Sequence, residues 1–320
     1  MVSENIAGAH SVGLMVDGWS NIRNEAVLNF VVTTPKPFLF KIMPTGTAPH
    51  TAEYMAKTLD AVIREIVPRK VFGIVTDNAA NMKAAWALIE NDFDNNIFTY
   101  GCFAHSLNLI FTDLKNLTSL KSFTAEAVSL TKAIRQSHIL SAWVKEKQNE
   151  LKISCSLKLP VPTRWGSLDR VQGYIMLLEP IANTITSVEG DTPTISKCLH
   201  LFKKMVNTSL ENVTKSPLLS KEEADTRAIF ENRKKFAIYS VHFVANLLDP
   251  KYRGCELSSD EMTDATEVIY KVAQKMPDVD EAAVLADVVN FIAKEGLFKK
   301  AFLWNEDTIA AILASQSILH

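Results

Sequence analysis

The chain has 320 residues, 47% of them hydrophobic and 22% charged, with a formal net charge of −2; this is an ordinary globular composition with apolar material enough for two domains. No apolar run approaches the ~18–20 residues that span a bilayer, and Met1-Val2-Ser3-Glu4-Asn5 lacks the basic start of a signal peptide, so an intracellular protein without membrane association is expected. Four scattered cysteines, Cys102, Cys155, Cys198 and Cys255, form no CxxC pair, which argues against a disulfide scaffold and against a zinc finger or ribbon.

In chain order, the first apolar run, Ser11 to Val16, closes at Asp17-Gly18-Trp19-Ser20 and reads as a buried strand. Ala26 to Thr34 reads as a second strand, turned by Pro35-Lys36-Pro37, and Phe38 to Met43 as a third. Connections this short favour an antiparallel meander. Thr51 suits an N-cap for an amphipathic helix carrying Met55, Leu59, Val62, Ile63 and Ile66, ended by Pro68. Val71 to Thr76 is a fourth strand closed by Asp77-Asn78, followed by a helix through Met82, Ala85, Trp86 and Ile89 and a fifth strand over Ile97–Gly101.

Three hairpin-connected strands followed by helix, strand, helix and strand match the ribonuclease-H-like mixed sheet, in which the first and fourth strands are neighbours. Asp17 and Asp77 fall at the ends of those two strands, where open sheets place their ligand crevice. Hard cations such as Mg²⁺ or Mn²⁺ are held by one or two carboxylates plus substrate phosphates, so the pair suits phosphoryl transfer. Each aspartate could equally cap the turn or helix that follows it.

Beyond Ser106 helical periodicity dominates, with apolar stripes at Leu107, Leu109, Ile110 and Leu114, at Ala127, Val128, Leu130 and Ile134, and again at Val241, Phe243, Val244 and Leu247. Breaks are expected at Pro160-Val161-Pro162 and Gly190-Asp191-Thr192-Pro193, and Asn207–Asp225 is polar enough for a loop or weak helix. Local charge is uneven. Lys115 to Arg170 carries ten Lys/Arg against four Asp/Glu, whereas Glu256 to Asp287 carries nine acids against two lysines. The basic stretch could follow a phosphate backbone or be a solvated helix face.

Five pieces, in this order, resemble the hAT superfamily of cut-and-paste DNA transposases: Asp17-Gly18-Trp19-Ser20, Thr76-Asp77-Asn78-Ala79-Ala80-Asn81-Met82, Gly101 to Leu109, Thr163-Arg164-Trp165, and Leu248-Asp249-Pro250-Lys251-Tyr252. The likeness is to the branch whose central region is a DUF659-type domain of transposase-like proteins. It implies a ribonuclease-H-like core (1–105), a large helical insertion domain (106–296) and a C-terminal tail (297–320). It further implies a nuclear DNA-acting polynucleotidyl transferase with a metal-dependent DDE site.

Carried over by position, Asp17 and Asp77 would be the catalytic metal ligands for Mg²⁺ or Mn²⁺, with no zinc. Cys102 and His105 match a Cys/Asp-x-x-His motif beside the centre, so His105 would serve the site. Arg164 and Trp165 would contact DNA, the tryptophan by stacking on a flipped base, worth roughly 1–3 kcal/mol per base. From residue type alone Trp165 also suits helix packing, and Cys102 a packed thiol.

Relatives of this kind start with a BED zinc finger and end with a dimerisation region that supplies the third acid. The chain stops at Ser315-Gln316-Ser317-Ile318-Leu319-His320 without such a segment, and of the late acids Glu306 and Asp307 better suit surface or capping roles. The resemblance therefore implies a truncated transposase-derived protein with impaired catalysis, able to associate with DNA and with full-length relatives. The alternative is a noncatalytic, domesticated DNA- or protein-interaction module.

Overall fold

The computed structural model describes residues 6, 8–9, 11–20, 25–33, 37–92, 97–152, 168–189, 195–276 and 279–309. The elements run β1 (Val12–Ser20), β2 (Ala26–Thr33), β3 (Pro37–Pro44), α1 (Ala52–Ile66), β4 (Val71–Thr76), α2 (Ala80–Asp92), β5 (Phe98–Gly101), α3 (Phe103–Lys115), α4 (Thr118–Gln136), α5 (His138–Glu150), α6 (Leu168–Val188), α7 (Cys198–Val213), α8 (Ser220–Ala237), α9 (Ser240–Leu248), α10 (Ser259–Lys275) and α11 (Glu281–Ala293). They form two compact units, one of residues 1–106, 188–201 and 235–320, the other of residues 107–187 and 202–234.

The first unit is built on a five-stranded mixed sheet in the order β3-β2-β1-β4-β5. The β1–β2 and β2–β3 pairs are antiparallel, and β1–β4 and β4–β5 are parallel. Successive strand side chains point to opposite faces, and Leu14 and Val16 of β1, Leu28, Phe30 and Val32 of β2 and Ile74 of β4 all join one core. Met55, Leu59, Val62, Ile63 and Ile66 of α1 and Met82, Ala85 and Ile89 of α2 complete it. Sealing each large side chain there contributes about 1.5–3 kcal/mol. Thr51 caps α1 by accepting from the Tyr54 N–H at 3.2 Å. The helix ends at Val67, held at φ 95, an uncomfortable conformation for a β-branched residue, just before Pro68.

Two local expectations need correction. β1 does not stop at Asp17 but continues to Ser20, because its pairing with β2 persists to Ser20 opposite Ala26. Asn207–Asp225 is not a loop or weak helix throughout: α7 reaches Val213 and α8 starts at Ser220. Most of its polar side chains face solvent, buried Ser216 donates back to Val213 O at 2.6 Å, and Val213 itself is fully buried.

The second unit is helical. Leu120, Tyr174, Leu177, Val213 and Leu218 form its core, with Phe123 against Tyr174 at 4.5 Å between ring centroids. The start of α4 has no cap of its own. Glu222 supplies one, its carboxylate accepting from the Ser119 N–H at 2.8 Å and, at the head of α8, from Leu219 N–H at 3.0 Å. Arg233 of α8 grips Asp113 of α3 through two parallel bonds of 2.6 and 3.0 Å. No helix among the described residues is long and apolar enough to cross a membrane.

Candidate functional site

The parallel pairing of β1 with β4 places Gly13 opposite Gly73, Leu14 opposite Ile74 and Met15 opposite Val75. Asp17 and Asp77 therefore each lie two residues beyond the last pair, in register on neighbouring strands, which run ~4.8 Å apart. Asp17 is exposed, on the face opposite the buried Val16, and cross-strand from Asn29. Asp77 is half-buried, and its Oδ1 accepts from the Ala79 N–H at 3.0 Å, closing the turn into α2.

Cys102 sits between β5 and α3, its N–H donating to Thr76 O at 2.6 Å. Burial pushes its thiol up from the ordinary range. The first-turn amides of His105 and Ala104 act the other way, while the charges of Asp17 and Asp77 both add to the rise. The thiol thus stands at the head of α3 within the field of both carboxylates. His105, one helical turn on, is half-buried in α3.

Asn78, beside Asp77, ties this corner together. Its Nδ2 donates to Ser106 Oγ at 2.8 Å and to Phe236 O at 3.2 Å, and its Oδ1 accepts from the Tyr239 hydroxyl at 2.6 Å. Ser106, fully buried, donates its own hydroxyl hydrogen bond to Phe236 O at 2.9 Å. The amide fits because residue 101 is glycine: a Cβ there would stand 2.1 Å from Asn78 Oδ1 and 2.5 Å from Cγ and Nδ2. Thr76 is buried and braced by α2, its Oγ1 accepting from Trp86 Nε1 at 3.1 Å and donating to Asp77 O at 2.7 Å.

His242 of α9 supports the same corner. Its ring meets Tyr100 edge-on at 5.6 Å, and its Nδ1 accepts from the Tyr239 N–H at 2.9 Å, so the ring proton is on Nε2. Burial holds it down to about 4, outweighing a smaller opposing contribution from the Tyr239 backbone. His242 is a neutral structural acceptor at working pH. Burial likewise raises the Tyr100 and Tyr239 hydroxyls.

The structure thus brings Asp17, Asp77 and the Cys102–His105 turn to one end of the sheet. Arg164 and Trp165 lie outside the described residues, as do Pro160-Val161-Pro162 and Gly190-Asp191-Thr192-Pro193. Leu248-Asp249-Pro250-Lys251-Tyr252 ends α9 in a turn: Asp249 Oδ1 accepts from the Lys251 N–H at 2.8 Å, and buried Tyr252 lies 5.6 Å from the His200 ring. Sequence patterning assigns Phe236, Tyr239 and His242 no role, and Asn78 only a place in the Thr76–Met82 piece. A capping-box spacing, His242 three residues after Tyr239, was the one available signal.

For a hard divalent cation, the donor chemistry fits one ion. Asp17 accepts no hydrogen bond from the described residues, and Asp77 accepts only the Ala79 bond among them, so carboxylate oxygens remain for a cation completed by water and phosphate. Among the described residues, no group of three or more His, Cys, Asp or Glu side chains could hold a metal.

A family model described as a domain of unknown function (DUF659) matches residues 4–130. That span contains Asp17, Asp77, Cys102 and His105. No curated protein matches the chain.

Proposed function

We propose that the chain is a hAT-type, transposase-derived protein that acts on or binds DNA in the nucleus, with a ribonuclease-H-like core. The observation that carries this reading is the in-register placement of Asp17 and Asp77 beyond the β1–β4 pairing in a sheet of order β3-β2-β1-β4-β5. The DUF659 match over the same residues supports it. In this reading the helical insertion corresponds to the second unit, residues 107–187 and 202–234, rather than to the whole of 106–296. Arg164 and Trp165 are assigned to DNA contact, and full-length relatives are its protein partners.

Asp17 and Asp77 would hold Mg²⁺ or Mn²⁺. When bound, the ion would polarise a phosphodiester and offset the charge that develops on it. Asp17 offers an exposed carboxylate, and Asp77 is oriented by the Ala79 amide and by Asn78's anchoring of the adjoining backbone. The neighbouring Cys102 thiol stays protonated, adding no third charge. Two carboxylates suffice to bind one such ion with phosphate, whereas DDE chemistry uses three acids; with no third acid grouped with them among the described residues, this reading has strand cleavage impaired. A noncatalytic interaction role is favoured by α5, which buries none of its residues and leaves Trp143 53% exposed.

The test incubates the purified chain with hAT-type transposon-end DNA and Mg²⁺ or Mn²⁺, with Asp77→Ala as control. The expected outcome is DNA binding without cleavage. Metal-dependent cleavage abolished by Asp77→Ala would overturn the impaired reading. Absence of any DNA binding would remove the DNA reading altogether.

A further inference from the structure

The second unit carries a basic trough at the corner between α3 and α4. It has a volume of about 490 Å³ and is lined by Lys115, Asn116, Lys121, Thr124, Ser129 and Lys132, with Ala125 and Val128 as its apolar members. Lys115 ends α3, Asn116 lies in the connecting turn, and the remaining residues are on α4. At about 100° per residue, Lys121, Ala125, Val128 and Lys132 recur at i, i+4, i+7 and i+11 and share one stripe. The residues that α4 buries, Leu120, Ala127 and Thr131, lie roughly a third of a turn away. The trough is thus a surface that folding of the unit does not use.

Its charge is uncompensated. No carboxylate lines it. Of the acids on the same helices, Asp113 is engaged by Arg233, and Glu126 accepts from the Ser122 hydroxyl at 3.4 Å while standing roughly 140° round α4 from Lys121. Glu222, near the start of α4, is turned to backbone amides. Among the described residues, Lys115, Lys121 and Lys132 are exposed and take part in no ion pair.

We infer that this trough binds the phosphodiester backbone of a nucleic acid, an inference that rests on the DNA-binding reading above and assigns it a surface. Lysines present compact, strongly hydrated charges on flexible stems, suited to following phosphates rather than reading flat base edges. Asn116, Thr124 and Ser129 add neutral donors of the kind that hydrogen-bond phosphate oxygens. Lys121 and Lys132 are eleven residues apart, roughly 16 Å along the helix, which is about five nucleotide steps at ~3.4 Å per step. An anionic membrane would also attract lysines, but it is held by apolar side chains that enter the interface. The trough offers only Ala125 and Val128.

The experiment measures fluorescence anisotropy of the full chain with a 20-base-pair duplex and with a 20-nucleotide single strand across a salt series. It compares wild type, Lys115→Gln/Lys121→Gln/Lys132→Gln, the corresponding triple Arg variant, and a charge-matched control, Lys57→Gln/Lys299→Gln/Lys300→Gln. Each phosphate contact contributes about 0.9 to the log–log salt slope for duplex and about 0.7 for single strand. The trough triple Gln variant should therefore lower the slope by roughly 2–3 and weaken binding by about 100-fold or more at 0.1 M salt. The Arg triple should retain binding, the control should change far less, and circular dichroism should show all four folded alike. Wild-type binding with an unchanged slope in the trough variant would refute the trough and leave the DNA reading standing. Wild type failing to bind either probe would overturn both. Binding to phosphatidylserine vesicles but not to nucleic acid, lost in the trough variant, would reassign the surface to a membrane and overturn the inference.

Discussion

Replacing Gly101 by alanine tests whether the amide of Asn78 organises the end of the sheet. The added methyl would stand 2.1–2.5 Å from three side-chain atoms of Asn78, closer than any non-bonded contact allows, so Asn78 must swing away. It then gives up its bonds to Ser106 Oγ, Phe236 O and the Tyr239 hydroxyl, at 2.8, 3.2 and 2.6 Å. Each is worth about 0.5–1.5 kcal/mol net, and a buried partner left unsatisfied costs about 1–3 kcal/mol. Gly101→Ala should accordingly destabilise the first unit by roughly 2–4 kcal/mol. Urea unfolding of a double-mutant cycle with Asn78→Ala measures the cause directly. Once Asn78 is truncated the clash disappears, so Gly101→Ala in that background should cost under about 1 kcal/mol, a coupling well above the ~0.5 kcal/mol scatter of independent sites. Additive effects would show that Gly101 is required for some reason other than the amide, and the proposed organising role of Asn78 would be lost.

Two further perturbations address the supports of each unit. His242 is held down to about 4 by burial, below its unfolded value of about 6.5; the unfolded chain therefore binds the proton first, and the stability this neutral ring confers is complete above pH ~6.5 and lost as pH falls towards 4. The full loss is roughly 3 kcal/mol, and His242→Gln, whose side chain can still accept from the Tyr239 amide, should flatten that part of the pH profile in urea unfolding; an unchanged profile would exclude His242 as its source. In the second unit, Glu222→Ala removes the acceptor for both Ser119 and Leu219 N–H groups and should cost about 2–3 kcal/mol, with increased amide exchange at Ser119; unaltered protection there would show that the start of α4 is capped by other means.

The strands and the first two helices were legible because their signals are local. Met55, Leu59, Val62, Ile63 and Ile66 recur at helical spacing and are all buried, and the caps at Thr51 and Asp77 act within three residues of themselves. Asp17 was read as ending its strand because Asp and Gly are poor strand formers. What overrides that preference is the cross-strand pairing of Gly18 with Leu28 and of Trp19 with Val27, supplied by a partner outside the local window. Asn207–Asp225 differs for another reason: most of its polar residues lie on solvent-facing sides of α7 and α8, buried Ser216 bonds back to Val213 O, and Glu222 turns its carboxylate to two helix starts. The bonds from Asn78 to Phe236 and Tyr239 cross 158 and 161 positions of sequence. No periodicity or spacing rule reaches that far.

Those long-range bonds bear on how the Asp17–Asp77 pair is positioned. The DUF659 match covers residues 4–130 and so contains both aspartates, Asn78 and Gly101. It does not contain Phe236, Tyr239 or His242, which receive Asn78, donate to it and buttress Tyr100. Asp17 comes from β1, whereas the turn just past β4 that carries Asp77 is fastened to residues returning to the same unit more than a hundred positions later. Substitutions at Tyr239 should therefore disturb Asp77 as directly as substitutions within the Asp77-Asn78-Ala79 turn. The matched segment supplies the carboxylates of the candidate site, and α9 with the residues just before it fastens the turn beside them.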